Sequence, residues 1–158
     1  MAFPILDDVI SLIAGLIAHL QANPTLAFLV AFMFYKTFKS RQPFPEASEK
    51  ITTITSVADF ETGVKAATSG PCIVDFYATW CPPCRAAVPV YNQLAEKYTG
   101  VSFFKCDVDA CREVSGKEGV SAMPTFKVYL NGESKAMIQG FRQSEIISEL
   151  EKFSTKSD

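Results

Sequence analysis

Apolar positions crowd into the first quarter of the chain and then settle into short periodic runs. From Val9 to Tyr35 there is no Asp, Glu, Lys or Arg, and about 20 of these residues are apolar, which meets the length test for a membrane span. The run is interrupted near its middle by Gln21, Asn23 and Pro24, with His19 just before them. Pro24 lacks a backbone donor and disfavours a straight helix. Two geometries follow: one kinked span, or a helix of about 8–21, a break, and a second helix of about 25–39. Leu26 to Tyr35 alone covers only about 15 Å at 1.5 Å per residue, whereas the whole run reaches about 40 Å.

The flanks of this run sort the alternatives. Asp7 and Asp8 stand where a cleaved signal peptide wants basic residues, and Phe32-Met33-Phe34-Tyr35-Lys36 offers no small-residue cleavage site. A mitochondrial matrix presequence would be rich in Arg, and the first arginine is Arg41. Helices packed on the rest of the protein or on a partner remain the other reading. Residues 1–38 are expected to form a hydrophobic membrane anchor that meets the bilayer through residues 9–35. Lys36, Lys39 and Arg41 follow the run and no basic side chain precedes it, so what comes after should face the cytosol. The endoplasmic reticulum and the mitochondrial outer membrane both suit such an anchor. Residues 39–50 read as a linker, because Pro43 and Pro45 push their predecessors out of the helical region.

From residue 51 to 158 the pattern is that of a globular α/β domain. Ile51–Thr55 alternates like a strand, and Val57–Thr68 is predicted as a helix with Ser56 as its N-cap. Cys72–Ala78 is a continuous buried strand, followed by a helix reaching about Tyr98, with Gly100 beyond it. Val101–Asp107 is a strand, Ala110–Lys117 a short helix and Thr125–Leu130 a strand. Asn131-Gly132 signals a hairpin, so Glu133–Gln139 pairs back antiparallel. Gln143–Phe153 closes the chain with Ile146, Ile147, Leu150 and Phe153 on one helical face. The order βαβαβαββα gives a central mixed sheet with helices on both faces.

Composition adds exclusions. A net charge of −2 with 20% charged residues lacks the basic footprint of nucleic-acid binding. The five cysteines, Cys72, Cys81, Cys84, Cys106 and Cys111, are an odd set with a single C-x-x-C, unlike a secreted disulfide scaffold. Zinc would normally take four Cys or His ligands, and the only histidine, His19, lies in the apolar run. Cys72 and Cys106 fall in strands as core thiols. Cys111 stands at a helix start, where a thiol can be exposed and oxidisable.

The C-x-x-C carries the chemistry. It follows a strand and opens a helix, where unpaired N–H groups and the positive end of the dipole stabilise a thiolate at Cys81. Cys84 lies three residues on, on the same helical face, ready to resolve a mixed disulfide formed by Cys81. Asp75, on the apolar strand before them, is a candidate buried acid whose pKa burial would raise towards the range of a useful base. Pro89 sits inside the long helix and implies a kink.

The stretch Val74-Asp75-Phe76-Tyr77-Ala78-Thr79-Trp80-Cys81-Pro82-Pro83-Cys84-Arg85 resembles the thioredoxin active-site segment. Lys105-Cys106-Asp107-Val108-Asp109 resembles the family's central strand end, Gly119–Phe126 its cis-proline loop, and Asn131-Gly132-Glu133 with Gly140-Phe141 its last hairpin. The resemblance covers about residues 51–155, is nearest to eukaryotic cytosolic thioredoxins, and implies a thioredoxin fold. It implies that Asp75 assists deprotonation of Cys84, that Lys105 neighbours this acid, and that Pro124 is a cis-proline exposing the Met123 backbone to an extended substrate. Trp80, Pro83, Ala122, Met123 and Gly140 would form the apolar rim around it. It also implies a protein-disulfide reductase with no bound cofactor, disulfide-containing client proteins and a thioredoxin reductase-like electron donor. Pro82 departs from the usual Gly-Pro pair and resembles tryparedoxins and some thioredoxin-like membrane proteins. Two other functions compete: a lumenal oxidase or isomerase, and a non-catalytic adaptor that uses the groove for binding alone.

Overall fold

The computed structural model describes residues 4–40, 43–67 and 70–154, which divide into two units at the Pro43–Phe44 bond. In the first unit, helices α1 (Pro4–Ala22) and α2 (Pro24–Ser40) each begin on a proline, a residue pre-set for the first helical position. Asn23 separates them. Its side-chain amide donates to the His19 carbonyl at 3.0 Å, and its own carbonyl accepts from the Ala27 N–H at 3.0 Å. With Pro24 unable to continue the ladder, the two helices are bent 112° apart. The break falls at Asn23-Pro24, where the sequence places it, with a helix on either side. Among the described residues no single helix is long and apolar enough to cross a membrane, and only the bent pair meets that test together. Their large apolar side chains, from Val9 and Leu12 through Phe28 and Phe34, are exposed. Helix α2 also runs to Ser40, into the expected linker.

The second unit is built on strands β1 (Ile51–Ile54), β2 (Pro71–Tyr77), β3 (Ser102–Asp107), β4 (Thr125–Leu130) and β5 (Glu133–Gln139). Their order across the sheet is β1-β3-β2-β4-β5. The first three are parallel, while β4 and β5 run antiparallel, so the sheet is mixed. Between them lie α3 (Val57–Phe60), α4 (Pro82–Lys97), α5 (Arg112–Lys117) and, last, α6 (Gln143–Ser154). Alternation along each strand divides the core. Ile73, Phe103, Phe126 and Val128 pack under α4 and α6, and Val74, Phe76, Phe104 and Tyr129 pack under α3 and α5.

The expected helix over 57–68 is a correction. Ser56 caps α3 through its hydroxyl, which accepts from the Asp59 N–H at 3.1 Å, but the α-helical turn ends at Phe60. A π-helical turn, Glu61–Lys65, follows. The Thr62 hydroxyl donates to the Ala58 carbonyl at 2.8 Å, and Gly63 rides against the Phe104 ring, so regular helix is locally disfavoured. Thr68 lies outside the described residues.

A cluster around Glu118 holds the loop that carries the site, and a tight turn closes the far end of the same hairpin. Glu118, just after α5, accepts from Lys127 at 2.5 Å, Lys65 at 2.9 Å and Tyr129 at 2.7 Å, and Lys127 also donates to its carbonyl. This partly buried cluster ties the start of the loop before β4 to the sheet. At the other end, Asn131 (φ 53°) and Gly132 (φ 77°) make the two-residue turn between β4 and β5.

A Cβ on Gly132 would lie 2.1 Å from the Lys65 carbonyl oxygen, a backbone atom that cannot step aside. Gly132→Ala is therefore expected to destabilise by roughly 2 kcal/mol or more, whereas Gly116→Ala, in open space on α5, gains about 0.5 kcal/mol; thermal unfolding of the two variants checks the contrast.

Candidate active site

Cys81 ends the turn after β2 and is the N-cap of α4. The first two positions of that helix are Pro82 and Pro83, which have no N–H. The first free helical donor is therefore the Cys84 N–H, and it points at the Cys81 sulfur at 3.3 Å. The fold thus delivers a backbone dipole to the one sulfur at the helix terminus. Cys81 and Cys84 are joined by a disulfide with Cα atoms 5.3 Å apart, so the structure is the oxidised form. Cys81 retains 4% exposure and Cys84 none, which makes Cys81 the outer sulfur.

The pair packs in a small apolar cluster with Tyr77 and Ala78, against which Phe44, Val108 and Met123 are half-buried. Met123 precedes a cis peptide bond to Pro124, as the resemblance implies. The Pro124 carbonyl accepts from the Gly140 N–H at 2.7 Å, and Thr125 donates to the Ala122 carbonyl at 2.8 Å. Gly140 is thereby held at the proline, with φ 79°. Pro83 and Ala122 are exposed. Trp80 is 65% exposed, and its indole N–H donates to Asp109 Oδ2 at 2.7 Å. The tryptophan is therefore a surface side chain held in place, and core packing does not account for it.

Asp75 points from β2 to the α4 face and is 4% exposed. Its Oδ1 has no hydrogen-bond partner. Lys105 is its register neighbour on β3 and is half-buried. Burial pushes the Asp75 carboxyl up to about 7, and the Lys105 charge opposes the rise without cancelling it. The remaining thiols are inert by comparison. Burial pushes Cys72 up to about 11 and Cys106 up to about 12. Cys111 is 6% exposed and directs its thiol to the Ile54 carbonyl at 3.5 Å, which corrects the expectation of an exposed thiol at that helix start.

Sequence reasoning missed three residues: Asp109, which holds Trp80; Phe44, which reaches the cysteine cluster from outside the domain boundary; and Tyr91. The Tyr91 hydroxyl donates to the Phe104 carbonyl at 2.8 Å and the Ile73 carbonyl at 3.1 Å, clamping α4 across the sheet. Asp109 was visible only as part of a strand-end motif, and Phe44 as part of a proline-rich linker.

An outer sulfur at a helix terminus, an inner sulfur bonded to it and a buried acid on the preceding strand make a dithiol–disulfide couple. With the mixed five-stranded sheet they define a thiol–disulfide oxidoreductase. The chain belongs to the thioredoxin family, whose pattern its residues 51–152 match. It is 44% identical over 102 residues to thioredoxin H3 of Arabidopsis thaliana, covering 63% of this chain and 86% of that one. It is 40% identical over 100 residues to thioredoxin 1 of Plasmodium falciparum, covering 63% and 94%. Among solved structures, the Plasmodium falciparum thioredoxin superposes with a TM-score of 0.60 at 40% identity, over 64% of this chain and 97% of that one. A thioredoxin from Nicotiana alata does so with a TM-score of 0.64 at 32% identity, over 69% and 96%. The protein is accordingly a protein-disulfide reductase of this family.

The raised Asp75 carboxyl carries a stability signature. Its folded pKa lies above its unfolded value of 3.8, so its proton is held more tightly in the fold. Stability is then greatest below about pH 4 for this group and is lost as pH rises to about 7, by roughly 4 kcal/mol in all. Chemical unfolding of the oxidised chain between pH 4 and pH 8 should show that slope, and Asp75→Asn should flatten it.

Proposed function

We propose that the protein is a membrane-tethered protein-disulfide reductase whose catalytic domain faces the cytosol. The observation that carries the redox part is the Cys84 N–H aimed at the Cys81 sulfur from the start of α4. In the reduced protein Cys81, as thiolate, attacks one sulfur of a client disulfide and expels the other as a thiolate, forming a mixed disulfide. Asp75 takes the proton of Cys84. The Cys84 thiolate then attacks the Cys81 sulfur, releases the second client thiolate and leaves the Cys81–Cys84 bond seen here. Two electrons pass to the client, and a thioredoxin reductase-like donor returns them. Lys105 moderates the acid. The Met123 backbone before Pro124 pairs with an extended client segment, and Trp80, Pro83, Ala122 and Gly140 rim it.

Tethering is supported by the uncharged run over 9–35 and by the exposed apolar side chains along both helices, which water alone would leave unsatisfied. The 112° bend favours a broken span or a pair of helices seated in one leaflet over a straight crossing. The cytosolic side is supported by Lys36, Lys39 and Arg41 after the run.

Insulin reduction by the full chain in mild detergent is expected to vanish in Cys81→Ser, while Cys84→Ser accumulates mixed disulfides with clients; binding without turnover in the wild type would favour an adaptor. Asp75→Asn should slow client release about a hundredfold near pH 7, with the deficit shrinking as pH rises and Cys84 ionises unaided. The tether is tested separately. Resistance to alkaline carbonate extraction, with a C-terminal tag digested in sealed organelles without detergent, is the expected result. Protection of the tag would make the lumenal oxidase or isomerase the better reading.

A further inference from the structure

We infer that the Phe44–Ala47 segment is the cover of the Asp75 cavity and that Phe44 is a positioning residue for the dithiol reaction, acting by keeping water from the carboxyl. The segment precedes the matched family region, which begins at residue 51. A cavity of about 10 Å³, at the lower limit of what a single water needs, is lined by Phe44, Pro45 and Ala47 together with Asp75, Tyr77 and Lys105. The unpartnered Asp75 Oδ1 is thus enclosed by the linker rather than by the sheet and α4 alone.

Phe44 is firmly seated. Its ring stacks on Tyr77 with centroids 4.9 Å apart, and the Arg85 guanidinium lies 5.6 Å from its centroid. It also packs against the Cys81–Cys84 cluster. The segment is pinned to α4 by Asn92, whose amide donates to the Glu46 carbonyl at 3.1 Å and whose carbonyl accepts from the Ser48 N–H at 3.0 Å. The Ser48 hydroxyl adds a bond to Glu96 at 2.6 Å.

The charged and titratable groups facing Asp75 are Lys105 from β3, Tyr77 on its own strand and Tyr91 from α4. The covering segment brings no charge to them, since Glu46 is exposed. Its action on Asp75 is therefore exclusion of solvent: with the ring removed, water reaches the carboxylate and favours ionisation. The inference builds on the assignment of Asp75 as proton acceptor for Cys84, and its test separates the two.

The experiment is carboxyl-carbon NMR of the aspartate-labelled full chain in detergent, the Asp75 signal being the one lost in Asp75→Asn. Phe44→Ala is expected to lower the Asp75 midpoint by about one unit, Asn92→Ala to lower it less, and Phe44→Trp to leave it in place. An unchanged midpoint in Phe44→Ala overturns the inference even if activity falls, as does an equal shift in Phe44→Trp. Should Phe44→Ala not fold, an unchanged midpoint in Asn92→Ala overturns it. A lowered midpoint with an unaltered pH profile of client release leaves the cover standing and removes Asp75 as the proton acceptor.

Discussion

Strand β2 has a neighbour on each edge and helices over both faces, so every residue from Pro71 to Ala78 is sheltered from water. That shelter is the constraint on which the chemistry depends. It forces the residues after the strand to emerge at one place, where the turn ends at Cys81 and α4 begins. It also confines a carboxyl group, Asp75, where its charge is poorly solvated and its proton is kept into the neutral range. The cost is borne by the rest of the core: the aromatic packing of Tyr91, Phe103 and Phe126 and the hydroxyl clamp of Tyr91 hold α4 over the strand regardless.

The same burial sorts five cysteines into one working pair and three bystanders. Cys72 and Cys106 face the α3 and α5 side of the sheet, in the packed cluster with Val74, Phe76 and Tyr129, where a thiolate is strongly disfavoured. Cys111 spends its thiol on a backbone carbonyl. Only Cys81 combines a helix N-cap position with a backbone N–H donated to its sulfur, and it is the more exposed sulfur of its pair. Selectivity among thiols is thus a property of where each strand and helix ends.

Much of this was legible in the residues. Strands β4 and β5 appear with the boundaries expected, because Asn131-Gly132 admits one kind of turn and the flanking alternation is clear. The C-x-x-C after an apolar strand announced the reactive centre, and the apolar strand made Asp75 conspicuous. What could not be read are side-chain contacts made at a distance in sequence. Gly63 rides against the Phe104 ring, some forty residues on, in the stretch where the expected helix becomes a π turn. Phe44 looked like a linker residue because its partners, Tyr77 and Arg85, lie more than thirty residues away. The apolar run showed its break at Asn23-Pro24 plainly, yet left two geometries open, since periodicity carries no bend angle.

The central claim is that thiol reactivity is concentrated at Cys81 by its position at the start of α4. The most direct test is alkylation of the fully reduced full chain with a small haloacetamide at pH 7, with mass spectrometry locating the label over time. The account predicts that Cys81 is labelled first and alone, while Cys72, Cys84, Cys106 and Cys111 stay free until the protein is unfolded. Labelling of the five thiols at comparable rates, or of Cys111 ahead of Cys81, would contradict it.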